Sequence, residues 1–134
     1  MKKLTIIIAD DVRDIQALIE ACLESFHHNL AFASTGREAA KLASRVPFDL
    51  LITDVLMPDG DGLDLIRETK RLQPSARILV MSGGGKYLGP VECMKMATSM
   101  GAHAALTKPF NRAQLLAAIN LALAPKTLEP ASPA

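Results

Sequence analysis

Short apolar runs alternate along the chain with longer segments in which apolar residues return every three or four positions. Residues 4–9 are apolar but for Thr5 and stop at Asp10 and Asp11. Ile15, Leu18, Ile19, Cys22, Leu23 and Phe26 then share one helical face. Residues 30–33 read as a weaker strand, and Thr35 with Glu38 forms a capping-box pair that opens a helix carrying Ala39, Ala40, Leu42, Ala43 and Val46. The run Leu50, Leu51, Ile52 ends at Asp54 and is broken by Pro58, Gly60 and Gly62. Asp61 is placed to cap a helix through Leu65, Ile66 and Thr69 to Leu72, which Pro74 closes. Residues 76–81 are a fourth strand leading to Ser82, Gly83, Gly84 and Gly85. Residues 91–100 read as a helix stopped by Gly101, and residues 102–107 as a fifth strand ending at Lys108. Asn111 and Gln114 cap a last helix to about Leu123.

Strand and helix thus alternate five times. The strands are apolar on both faces, which suits a parallel sheet covered by helices on each side, so an α/β domain over residues 1–124 is expected. The stretch 125–134 holds Pro125, Pro130 and Pro133 without apolar periodicity and is expected to be a disordered tail. No internal repeat is visible.

Composition narrows the function. With 134 residues, 49% hydrophobic, the chain suits one domain with a real core. Net charge is +1 and the basic residues are scattered, so no nucleic-acid footprint is seen. No run reaches membrane-spanning length, and the start lacks a secretory-signal pattern. Cys22 and Cys93 are far apart and read as reduced cytoplasmic thiols. His27 and His28 follow a helix and suit the negative end of its dipole. Met94, Met96 and Met100 read as gap-filling core.

Four strand ends carry polar groups: Asp10 and Asp11, Asp54, Ser82, and Lys108. A parallel sheet brings these ends to one edge, where ligands of open α/β sheets bind. Three carboxylates close together repel and call for a cation. Mg²⁺ suits a few carboxylates plus a phosphate. Lys108 adds a positive charge and Ser82 a hydroxyl, a set that suits a phosphoryl group, with an Asp as nucleophile.

The sequence resembles the receiver domains of two-component response regulators. Asp10, Asp11, Asp54 through Val55, Leu56, Met57 and Pro58, Asp61, Gly62, Ser82, Gly83, Gly101, Ala102, and Leu106, Thr107, Lys108, Pro109 and Phe110 carry the resemblance. It implies a flavodoxin-like sheet of five parallel strands in the order 2-1-3-4-5 with five helices. It also implies Asp54 as phosphoacceptor, Asp11 as a direct Mg²⁺ ligand, Asp10 reaching the ion through water, and the Leu56 carbonyl as a further ligand. Ser82 and Lys108 would meet the phosphoryl oxygens, and the bond before Pro109 would be cis. The expected protein is a single-domain regulator, a switch rather than a turnover enzyme. Its expected partners are a histidine kinase or histidine phosphotransfer protein and a downstream protein, with no nucleic acid, no membrane, and a monomer or weak dimer in the cytoplasm.

Departures from the family pattern shape further expectations. The position three before the lysine, commonly aromatic, is Ala105, so the switch is expected to run through Gly83, Gly84 and Gly85. Residues 86–90 look like an insertion, read either as an inert surface loop or as a partner-specificity element with Tyr87 as its anchor. Leu56 and Gly84 offer no polar group to orient a water, so slow self-dephosphorylation is expected. The alternative is a degenerate receiver that docks without phosphorylation, kept alive by Ala105. An Asp-nucleophile phosphatase of the haloacid-dehalogenase type is disfavoured because Leu56 stands where its second carboxylate belongs. A flavodoxin-like electron carrier is disfavoured by aromatic poverty.

Overall fold

In the computed structural model of the chain, residues 2–57, 60–83 and 90–125 are described. Five parallel strands form one sheet: β1 (Thr5–Ala9), β2 (Asn29–Ala33), β3 (Leu50–Asp54), β4 (Arg77–Ser82) and β5 (Ala104–Thr107). Their order is β2-β1-β3-β4-β5. The connecting helices are α1 (Arg13–Leu23), α2 (Gly36–Arg45), α3 (Gly62–Leu72), α4 (Pro90–Met100) and α5 (Arg112–Leu123). A 3₁₀ turn, Glu24–Phe26, extends α1, and a two-residue antiparallel ribbon pairs Leu56–Met57 with Gly60–Asp61.

Alternate residues of each strand feed two cores, as the twofold strand period requires. Ile6, Ile8, Leu50, Ile52, Leu79 and Met81 face Ile19, Leu23, Leu115 and Ile119 of α1 and α5. Ile7, Leu51, Ile78 and Val80 face Ala39, Ala43, Leu65, Ile66 and Ala97 of α2, α3 and α4. Each fully buried Ile or Leu contributes roughly 2 kcal/mol of transfer free energy, so these positions dominate stability.

The starts of α2 and α5 and the end of α4 follow the capping signals. The Thr35 hydroxyl accepts from the Glu38 amide at 3.1 Å, and the Glu38 carboxylate accepts from the Ser34 amide at 2.7 Å, one residue earlier than the usual box. Asn111 and Gln114 make both arms of theirs. Gly101 ends α4 at φ +94°, a conformation that favours glycine.

The amino-terminal edge of the sheet is stitched by side chains. The Asp49 carboxylate accepts from the Thr5 amide at 2.8 Å. His28 Nδ1 accepts from the Leu4 amide at 3.0 Å, and His103 Nδ1 from the Ile78 amide at 3.0 Å. These supply partners for amides that the ladder leaves open. The expectation that His28 serves as a cation at a helix end is therefore corrected. An accepting Nδ1 requires a neutral ring, and burial, outweighing the attraction of Asp49, lowers its pKa. His27 occupies the left-handed region at φ 58° and turns the chain into β2.

Candidate functional site

Sheet order reverses beside β1: the chain leaves it first for β2 on one side and then continues through β3 on the other. The crevice at this reversal, outside the carboxyl ends of β1 and β3, is where open α/β sheets present chemistry. Asp10 and Asp11 follow β1, and Asp54 is the last residue of β3.

The three carboxylates converge, each with an oxygen within 4.8 Å of the others. Asp10 is fully buried, Asp54 is half-buried and Asp11 is exposed. Both oxygens of Asp10 are engaged: one accepts from the Val12 amide at 2.8 Å, the other from Lys108 Nζ at 2.6 Å. Lys108 also donates to Asp54 at 3.1 Å. Its side chain is only 15% exposed. Burial alone would lower its pKa, but the hydrogen bonds to Asp10 and Asp54 and the charges of both outweigh it, so the pKa rises above the ordinary lysine value. The ammonium is thus locked in its charged form between two carboxylates. Three carboxylates and one ammonium leave a surplus of negative charge beside an exposed carboxylate. That donor set fits a hard divalent cation with oxygen ligands.

Ser82, at the end of β4, is buried. Its carbonyl accepts from the Lys108 amide at 2.8 Å, which ties the two site-bearing loops together. The Lys108–Pro109 peptide is cis, as expected. Leu56 lies in the ribbon two residues beyond Asp54. Gly83 is exposed, and a Cβ added there would meet nothing within 4 Å. Ala105 is half-buried against the α2–α3–α4 core, level with Val80 of β4. Gly84, Gly85 and Tyr87, with residues 126–134 of the expected tail, lie outside the described residues.

Two supporting residues escaped the sequence reading in different degrees. Gln16 donates to the Asp10 carbonyl at 2.8 Å, bracing the acidic loop against α1, yet a glutamine on an amphipathic helix reads as solvated surface. Gly62 reads in the sequence as a strand breaker and as part of the family resemblance, with no packing role attached. Its amide donates to the Val55 carbonyl at 2.6 Å, and a Cβ there would stand 2.6 Å from the Asp54 carbonyl oxygen. Only glycine lets α3 start so close beneath the end of β3.

Response regulator receiver domains match residues 6–120 of the chain. The chain belongs to that family. As a receiver, it is 34% identical over 134 residues to the DNA-binding transcriptional regulator NtrC of Azospirillum brasilense, covering all of this chain and 27% of that protein. The chemotaxis protein CheY of Thermotoga maritima is 28% identical over 116 residues, 86% of this chain and 93% of its own. The receiver spans about a quarter of the length of several of the regulators it matches. Among solved structures, chemotaxis response regulator CheY4 of Vibrio cholerae superposes with a TM-score of 0.78 at 25% identity, over 89% of this chain and 98% of that one. A response regulator from Burkholderia pseudomallei, described with a phosphorylated aspartic acid, a calcium ion and citrate, gives 0.75 at 31% identity over 90% and 69%. Receivers are phosphoacceptor switches of two-component signalling, and the sheet order β2-β1-β3-β4-β5 is the receiver order. Among the described residues no helix is long and apolar enough to cross a membrane.

Proposed function

We propose that Asp54 of this receiver accepts a phosphoryl group from the phosphohistidine of a histidine kinase or phosphotransfer protein, or from a small acyl phosphate, in a Mg²⁺-dependent reaction. The observation that carries the reading is the bridging of Asp10 and Asp54 by Lys108 within a cluster of three carboxylates. In the proposed step an Asp54 oxygen attacks phosphorus, and the bond from phosphorus to the imidazole nitrogen breaks. The nitrogen leaves with the electron pair. Asp10, Asp11, Asp54 and the Leu56 carbonyl would hold the cation. When bound, a divalent ion neutralises charge gathering on the transferring oxygens.

Lys108 contributes a permanent positive charge at the same oxygens, and Ser82 a hydroxyl donor from the neighbouring strand end. Phosphorylation converts Asp54 from a carboxylate paired with Lys108 into an acyl phosphate whose oxygens take over that pairing. The receiver then acts as a switch, through contact with a partner protein or by passing the group onward. The related regulator from Burkholderia pseudomallei, with its phosphorylated aspartic acid and calcium ion, supports this reading.

Intact-protein mass after incubation with acetyl phosphate and Mg²⁺ tests it. A labile phosphoryl adduct is expected, absent in Asp54→Asn and absent with chelator. A chain that stays unmodified with acetyl phosphate and with a histidine kinase would support the phosphorylation-independent docking module instead.

A further inference from the structure

The sheet ends at β2, beyond which no described strand pairs. Its sequence, Asn29, Leu30, Ala31, Phe32, Ala33, contains no charge and no proline, so it lacks the usual residues that keep an exposed edge from pairing. The ladder to β1 uses the main chain of alternate residues: the Asn29 amide donates to the Leu4 carbonyl at 2.8 Å and the Ala33 carbonyl accepts from the Asp10 amide at 3.0 Å. In a parallel pair that leaves the amides and carbonyls of Leu30 and Phe32 turned outward.

A groove runs along this edge between β2 and α1. Its lower part, about 540 Å³, is lined by Ala17, Glu20, Ala21, Glu24, Leu30 and Phe32 among others. Its upper part continues past Phe32 to Gln16 and Arg13. Leu30 and Phe32, side by side on the α1 face, form an apolar floor that stays half-exposed. Ala17 and Ala21 are too short to cover it. Glu20 and Glu24, one helical turn apart and both exposed, make an acidic wall, while Arg13 stands at the end nearer the acidic site.

We propose that this edge docks an extended segment of a partner protein that adds a strand to β2. The segment would carry apolar side chains onto Leu30 and Phe32 and lysine or arginine toward Glu20 and Glu24. Main-chain bonds supply affinity in such additions, and the side chains facing the groove supply selectivity. Charge complementarity selects the occupant. A second copy of this chain pairing through the same edge would set Glu20 and Glu24 near their own counterparts, and like charges there oppose it. This surface is separate from Asp54 and stands whether or not Asp54 is phosphorylated.

The test is an amide-resolved NMR titration with a capped synthetic peptide alternating valine with lysine, beside the same peptide with glutamate in place of lysine. The lysine peptide is expected to shift the amides of Leu30 and Phe32 and to slow their hydrogen exchange, while the glutamate peptide does neither at equal concentration. The exposed double variant Glu20→Lys, Glu24→Lys is expected to weaken the lysine peptide about tenfold. Equal response to both peptides overturns the proposal. So does silence at about millimolar lysine peptide, shifts confined to other surfaces, or a concentration-dependent dimer built on β2.

Discussion

The Lys108 ammonium lies 2.6 Å from an oxygen of the fully buried Asp10, closer than its 3.1 Å approach to Asp54. Its first structural duty is therefore as counter-ion to a carboxylate with no access to water. Removing it leaves that charge alone in the interior. Lys108→Met is expected to lower the unfolding free energy at pH 7 by about 3 kcal/mol. Asp10→Asn on that background is expected to recover part of the loss, because it removes the stranded charge. Urea denaturation of the wild type and the two variants checks this. A Lys108→Met protein as stable as wild type would show that Asp10 does not depend on the pair.

The same pair sets an alkaline limit. The Lys108 pKa is raised in the folded chain, so the native state holds its proton more tightly than the unfolded state. The contribution is complete below the unfolded lysine value of about 10.4. It is lost as pH climbs through the higher folded value. Thermal midpoints of wild type against Lys108→Met should stay a constant distance apart to about pH 10 and converge above it.

At the opposite edge of the sheet the sign reverses. Burial lowers the His28 pKa against the pull of Asp49, and the ring accepts from the Leu4 amide. The unfolded chain therefore binds the proton more readily. The stability from neutral His28 is complete above about pH 6.5 and declines as pH falls toward the lower folded value. His28→Asn, whose side-chain oxygen can take the same amide, is expected to flatten that decline. Midpoints measured between acid and neutral pH decide the matter. An unchanged slope would assign the decline to other groups.

Gly62 carries a steric prediction. A methyl group there meets the Asp54 carbonyl oxygen at 2.6 Å and Val55 backbone atoms at 3.1 Å. Backbone cannot step aside as a flexible side chain would. Gly62→Ala is expected to cost about 1–3 kcal/mol, and to slow acetyl-phosphate labelling through displacement of the Asp54 loop. Denaturation and intact mass report the two effects separately.

The legible part of this protein was what repeats along the chain. Apolar runs such as 4–9 and 50–52, each ending in a polar residue, predicted parallel strands with chemistry at their carboxyl ends, and Asp10, Asp11 and Asp54 do converge there. Capping at Thr35 and Asn111 and the stop at Gly101 were also readable, because each depends on neighbours in sequence, whereas the cis bond at Pro109 was implied by the family resemblance. The contacts that depend on the completed sheet were not. Asp49, His28 and His103 meet strand amides that lie 44, 24 and 25 residues away. Gln16 looks like any solvated helix residue until β1 and α1 are brought together. The preference of Lys108 for Asp10 over Asp54 is likewise a fact of packing. The acidic groove along β2 escaped for the same reason, since its walls come from a helix and a strand that no local pattern relates.

At the foot of β4, Arg77 donates from Nε to the Ala122 carbonyl at 2.7 Å and from an outer nitrogen to the Ala124 carbonyl at 2.9 Å. The other end of that strand is Ser82. Six residues of extended chain make a rod roughly 17 Å long, flanked by β3 and β5, with one tip beside the carboxylates and the other gripping the last turn of α5. One continuous hydrogen-bonded strand therefore ties the edge of the acidic site to the carboxyl end of α5, the last described helix.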